Sequence, residues 1–192
     1  MKQQITMNKE KNLSIEKAHQ LFIRKASVRN LSEKTITTYN NHYKIFAQFI
    51  DTSQLISGIT EDTVDDFILY LRDNSRANDI TINSYLRSLR AFLYYCMNCN
   101  YMPSFKVGLI KAEKKLKQTY SDEELQRLLK KPDINLCSFT EYKTWVFENY
   151  LLGTGNRISS ALNVHISDVN FADGVILLQK TKNRNQQIIP LS

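Results

Sequence analysis

The sequence predicts a mainly α-helical protein: an N-terminal four-helix domain, then a partial α+β unit with a small antiparallel β-hairpin. Three observations predict it. Four stretches in the first hundred residues place apolar side chains every three to four positions, the period of a helix with one buried face. After residue 169 the pattern shortens to brief β-branched runs around a basic tip, as strands of a hairpin do. A lysine-rich stretch separates the two patterns.

In the first unit, residues 14–28 carry Ile15, Ala18, Phe22 and Ala26 on one face. Residues 32–50 carry Ile36, Tyr39, Tyr43, Phe46 and Ile50, with Ser32 placed to accept a hydrogen bond from an otherwise unpaired N–H of the first turn. Residues 51–58 read as a loop. Thr60 caps a third helix with Val64, Phe67, Ile68 and Leu71 inward. The fourth runs over 79–99 with Ile82, Leu86, Leu89 and Leu93 on one face, and Tyr101-Met102-Pro103 is expected to end it, because proline cannot continue a helix. Four amphipathic helices with short connections make a small bundle. The expected boundaries are a disordered tail over 1–12, the helical domain over 13–103, a basic linker over 104–118 and a second unit over 119–192.

The linker holds Lys106, Lys111, Lys114, Lys115 and Lys117 against Glu113, a net charge of +4. Two readings fit it: a solvated spacer, or a segment lying across a phosphate backbone. The second unit opens with Ser121-Asp122-Glu123-Glu124, a capping box in which Ser and Glu satisfy each other's backbone N–H. Leu125, Leu128 and Leu129 follow, and Lys130-Lys131-Pro132 closes that helix. Residues 142–152 are apolar on nearly every side, so this helix is expected to be buried in something larger. Gly153-Thr154-Gly155 breaks it, and a short helix with Ile158, Ala161 and Leu162 comes next. Residues 169–171 fit a strand; 175–178 and 188–190 fit the two arms of the hairpin.

The formal net charge is +7 over 192 residues. An excess of this size is compatible with a polyanion partner and with none. No apolar run reaches the roughly 18 residues a membrane span needs, and the first twelve residues lack the apolar core of a signal peptide. A cytoplasmic location without membrane contact is expected. Cys96-Met-Asn-Cys99 spells a C-x-x-C, but no second pair completes a four-ligand zinc site and the pair closes a helix rather than opening one, so it reads as two small apolar residues on a helix face. No cofactor and no metal is expected.

Arg157 follows the glycine break at the start of a short helix. Two readings fit: an arginine paired with Glu148 or Asp168, or one holding an anion together with free backbone N–H groups. Thr154-Gly155-Asn156-Arg157-Ile158-Ser159 resembles the T-G-x-R-[IV]-S signature of the tyrosine recombinase (phage integrase) family. Leu162 and Ser167-Asp168-Val169 are similar to the leucine and the S-D-[IV] that follow it there, and Ile188-Ile189-Pro190-Leu191 to the family's V-P-L strand. Upstream, Leu31-Ser32-Glu33-Lys34-Thr35-Ile36 with Tyr39 and Phe46, Ile59-Thr60-Glu61-Asp62, and Thr81-Ile82-Asn83 with Leu86, Leu89 and Phe92 resemble the SAM-like core-binding domain of that family. The order and spacing of these short motifs carry the resemblance over roughly residues 13–192.

The resemblance implies a DNA-binding protein of site-specific recombination, acting in the integration or recombination of a mobile element. It implies that Arg157 is the first catalytic arginine, gripping the non-bridging oxygens of the scissile phosphate. It implies that Lys182, eight residues before Pro190, is the hairpin general acid that protonates the leaving oxygen, with Lys180 as the alternative. Fixed cations suit the charge that phosphoryl transfer builds on oxygen. Where the family often has an acid three residues after the arginine, this sequence has Ser160. The family's second arginine, later His or Trp, and nucleophilic Tyr lie beyond its hairpin, and none of His19, His42 and His165 opens an H-x-x-R. All ten tyrosines precede Arg157. Residues 119–192 are therefore expected to be a truncated, N-terminal part of the catalytic domain, and the 192 residues to be inactive alone. The competing reading is a non-catalytic regulator that occupies recombination sites. Double-stranded DNA, and other recombinase protomers on it, are the expected partners. Lys34, Thr35 and Thr38 on the second helix, Asn83, Arg87 and Arg90 on the fourth, and Lys114 and Lys115 in the linker are the expected DNA contacts; solvent exposure alone is the other account of the helical stripe.

Overall fold

The structure is a computed structural model and describes residues 12–75, 77–113, 116–179 and 185–191. The expected N-terminal tail lies outside the described residues but for Asn12. The chain divides into two compact units, Met1–Lys115 and Leu116–Ser192.

The first unit contains α1 (Ile15–Val28), α2 (Glu33–Phe49), α3 (Glu61–Asn74) and α4 (Asp79–Asn98). Each opens on a short polar side chain accepting from the first turn: Ser14 from Lys17 N, Ser32 from Thr35 N, Thr60 from Thr63 N and Asn78 from Thr81 N. Two of the helices close on an asparagine in the left-handed region, Asn30 at φ 55° and Asn100 at φ 59°. At α4 the Tyr101 N–H then donates back to Cys96 O at 2.9 Å, and at α1 Leu31 N donates to Ala26 O at 3.1 Å. This is the six-to-one closure that asparagine's tolerance of positive φ permits. The end of α4 is thus set by Asn100, before Pro103 is reached.

The helices close over one core. Ile15, Phe46, Phe67, Leu71, Ile82, Leu86 and Leu93 are at most 1% exposed. Phe46 meets Phe67 edge-on, ring centroids 5.1 Å apart. The expected loop before α3 holds a 3-10 turn, Ile56–Gly58, with Ile56 fully buried. Its strand-like start pairs with the entry of α1, Ile56 N donating to Leu13 O and Ile15 N to Gln54 O, both at 2.9 Å. Cys96 is buried in the core, where loss of water pushes its thiol up to about 12.

The expected linker over 104–118 starts later than its composition suggests. Val107 is 3% exposed, and Phe105 and Ile110 pack against the first unit's core. Apolar burial outweighs the flanking lysines here, because a long lysine side chain keeps its charge in water wherever the backbone lies.

The second unit contains α5 (Asp122–Leu128), α6 (Phe139–Thr154), α7 (Ile158–Ala161), a 3-10 turn Ile166–Asp168, and strands β1 (Val169–Asn170), β2 (Val175–Leu178) and β3 (Gln187–Pro190). The capping box at Ser121 and Glu124 forms as read. A second one, Ser138 with Glu141, starts α6 three residues ahead of the apolar run. The strands form one antiparallel sheet in the order β1-β2-β3, with Ile176 facing both Val169 and Ile189. Helix α6 has no buried residue, despite its apolar sequence. Phe139 is 81%, Val146 46% and Leu152 52% exposed. An open groove of about 490 Å³ runs between this helix and the sheet, lined by Trp145, Val146, Leu152, Ile176 and Pro190.

Candidate nucleic-acid interface

Arg157 stands immediately after the turn that ends α6. That helix runs through Gly153 and stops at Gly155, whose φ of 62° suits a residue without a Cβ. The turn is held by side chains. Thr154 Oγ1 donates to Tyr150 O at 2.6 Å, Asn156 N donates to Thr154 Oγ1 at 3.3 Å, and Asn156 Nδ2 donates to the Tyr150 hydroxyl at 3.1 Å. Tyr150 and Asn156 are therefore the residues that aim the segment, and neither stood out in the sequence. Arg157 itself caps α7, its carbonyl accepting from Ser160 N at 2.8 Å and Ala161 N at 3.0 Å.

The Arg157 side chain is exposed and makes no ion pair among the described residues. Of the two readings of its sequence, pairing with Glu148 or Asp168 is not what forms. Asp168 is 5% exposed and fully engaged, accepting from His165 N at 2.8 Å and from Gln179 Nε2. That pair of bonds ties the turn before β1 to the end of β2. The helix that Arg157 caps is a single turn of four residues, so its dipole is small and any hold on an anion falls to the guanidinium. Ser160, at the position where the family often has an acid, is buried at 6% exposure. Lys182 and Lys180 lie outside the described residues.

In the first unit, Lys34 is exposed in the first turn of α2. Thr35 and Thr38 beside it are half-buried and already bonded locally. Thr35 Oγ1 lies 2.8 Å from Ser32 Oγ, and Thr38 Oγ1 donates its proton to Lys34 O at 2.8 Å. A phosphate oxygen only accepts, so Thr38 has no proton for it in this arrangement. On α4, Arg87 is exposed and Arg90 half-buried, and neither is paired among the described residues. The two helices are joined by a hydrogen bond of 2.7 Å between His42 Nδ1 and Ser88 Oγ, with the Tyr85 ring edge-on to His42 at 4.7 Å. Burial lowers the His42 pKa, which favours the neutral ring.

Asn83 is not on the exposed stripe where its spacing put it. It is 5% exposed, and both ends of its amide are bonded to the backbone of Ile110. The helical period places it correctly, but the returning connector covers that end of the stripe. Lys114 and Lys115 lie outside the described residues.

The family model described as "Phage integrase SAM-like domain" matches residues 19–115, and the one described as "Phage integrase family" matches residues 118–192. Tyrosine recombinase XerC of Oceanobacillus iheyensis is 28% identical over 169 residues, 84% of this chain and 53% of that protein. Tyrosine recombinase XerD of Staphylococcus saprophyticus is 24% identical over 168 residues, 85% of this chain and 56% of that one. The chain thus spans about half the length of the curated relatives it matches. Among solved structures, a lambda integrase tetramer bound to a Holliday junction superposes with a TM-score of 0.70 at 14% identity, covering 96% of this chain and 52% of that one. The Tn1549 transposon integrase in complex with circular intermediate DNA gives 0.66 at 19% identity, covering 90% and 58%. At these identities the superpositions show the fold: a helical bundle followed by the opening of an α+β domain. With one family model taking the helical unit and the other the unit that carries Arg157, the chain belongs to the phage integrase, or tyrosine recombinase, family.

Proposed function

We propose that this chain is the DNA-holding portion of a site-specific tyrosine recombinase, serving the integration or recombination of a mobile element. Both units contact the same duplex. The first does so through the cations of α2 and α4, chiefly Lys34, Arg87 and Arg90. The second does so through Arg157, which grips the non-bridging oxygens of a phosphate; Lys182, with Lys180 as the alternative, supplies the proton for the leaving oxygen. Asn83 takes no direct part, because it is buried and both ends of its amide are bonded to Ile110.

The observation that carries the reading is Arg157. It stands within the family's T-G-x-R-[IV]-S pattern, on a turn braced by Tyr150, Thr154 and Asn156, with its guanidinium exposed and unpaired among the described residues. An exposed guanidinium offers several N–H donors in a fork that matches phosphate oxygens. The test is fluorescence anisotropy of a labelled duplex titrated with the chain and with the Arg87→Ala/Arg90→Ala double variant. Binding by the parent chain and a clear loss in the variant are expected. Equal binding by both would refute the assignment of α4 to the interface.

A further inference from the structure

Asn83 is a buried polar side chain that DNA contact does not explain. Its Nδ2 donates to Ile110 O at 2.9 Å and its Oδ1 accepts from Ile110 N at 3.0 Å. A primary amide that serves the N–H and C=O of one residue copies the two-bond exchange of an antiparallel strand pair. Further along α4, the Tyr94 hydroxyl accepts from Val107 N at 3.4 Å. Val107 is 3% exposed, and Phe105 and Ile110 pack on the same core. The segment is thus stitched along α4 in the opposite direction, Val107 at Tyr94 and Ile110 at Asn83. Asn83, Arg87, Arg90 and Tyr94 fall at i, i+4, i+7 and i+11, one stripe of the helix. Its two ends hold the connector, and the two arginines lie between them.

We propose that Asn83 is a positioning residue for DNA binding: its amide fastens the chain at Ile110 and so sets the length of connector between the two DNA-holding units. The proposal rests on the DNA-binding reading above. With the stitch in place the connector begins at residue 111; without it, the segment behind residue 111 is held only by the packing of Phe105 and Val107 and the Tyr94 bond, and full fraying starts the connector at residue 104. The end of the connector near residue 118 is the same in both cases, so full release nearly doubles its length. The effective concentration of one tethered site at the other falls with about the three-halves power of that length, so the loss is at most about two- to threefold. The stitch also keeps the backbone at Lys106 between the packed Phe105 and Val107, while the lysine side chain is exposed.

The experiment uses the whole chain with two substitutions. Asn83→Leu keeps the branched shape and removes both bonds. Ile110→Pro deletes the N–H that Asn83 accepts and leaves α4 untouched. Trypsin cleavage at Lys106 reports the stitch without any DNA. Anisotropy with a duplex of roughly 30 base pairs and with one of about 10, three turns and one, reports the coupling. Both variants are expected to expose Lys106 to trypsin, to weaken long-duplex binding by at most about two- to threefold, and to leave short-duplex binding unchanged. Lys106 staying protected in both variants overturns the stitch. Cleavage at Lys106 with long-duplex binding unchanged overturns the positioning role. Short-duplex binding weakened by Asn83→Leu but not by Ile110→Pro makes Asn83 a direct contact and overturns the proposal. A parent chain that binds neither duplex overturns the DNA-binding reading and the positioning role with it, while trypsin still judges the stitch separately.

Discussion

The imidazole of His19 lies flat on the ring of Tyr43, centroids 3.7 Å apart and planes 6° from parallel. It joins α1 to α2 inside the core, with the Phe92 edge 5.5 Å away. His19 is 7% exposed, and burial lowers its pKa from 6.5 to about 4. The folded chain therefore refuses a proton that the unfolded chain accepts. Stability should be full above about pH 6.5 and fall as the pH drops towards 4, by roughly 3 kcal/mol across that window. Urea unfolding at pH 7 and pH 4.5 measures this, and His19→Phe, which keeps the stack, should remove most of the difference. An unchanged pH dependence in that variant would mean other groups cause it.

The first unit should be far more sensitive to loss of apolar volume than the second. Phe46 is 1% exposed and packs edge-on against Phe67, so Phe46→Ala should cost about 3–5 kcal/mol. Phe139, on α6, is 81% exposed, and Phe139→Ala should stay within about 0.5 kcal/mol. Thermal unfolding followed by circular dichroism compares the two.

DNA binding should weaken steeply with salt. Each phosphate contact contributes about −0.9 to the slope of log affinity against log salt. Arg87→Ala should make the slope shallower by about that amount and weaken binding to unrelated duplexes alike. A flat dependence between low and physiological salt in the parent chain would rule out phosphate contacts as the basis of binding.

A polypeptide of these 192 residues should bind DNA without cutting it. Its tyrosines sit in helices or at their ends in the first unit and α6, or, at Tyr120, immediately before the cap of α5. None falls in a family nucleophile motif, and groups that act as a unit lose nearly all activity when one is missing. Nicked suicide duplexes run on a denaturing gel should show no covalent adduct. Arg157→Ala should weaken duplex affinity by no more than about 1–2 kcal/mol, one charged hydrogen bond to phosphate. A tyrosine-linked adduct from this polypeptide alone would contradict the assignment.

Limited proteolysis should open the chain between residues 111 and 118, since residues 105–110 are packed and stitched to α4. The C-terminal piece should then be digested first. Its longest helix buries no side chain, and helices lacking apolar cover open at low cost. Mass spectrometry of the early fragments decides the order.

Elements and family were readable from residue order alone because their causes are local. A cap is a bond between residues three apart, so Ser32, Thr60 and the Ser121–Glu124 box announce their helices in sequence. The Ser138–Glu141 box was equally local, and the longer apolar run behind it drew the start of α6 to residue 142 instead. The family motif is local too: Gly155 must take positive φ where α6 ends, and Arg157 follows two residues on. Tertiary structure alone decided the fate of Asn83, Asp168 and the connector. A helical stripe says which side chains share a face, never what lies across it. Ile110 comes back to Asn83 from 27 residues away, and Gln179 reaches Asp168 across 11. Only the folded chain brings those backbone and amide groups into the dry places where an unpaired polar atom would cost about 1–3 kcal/mol.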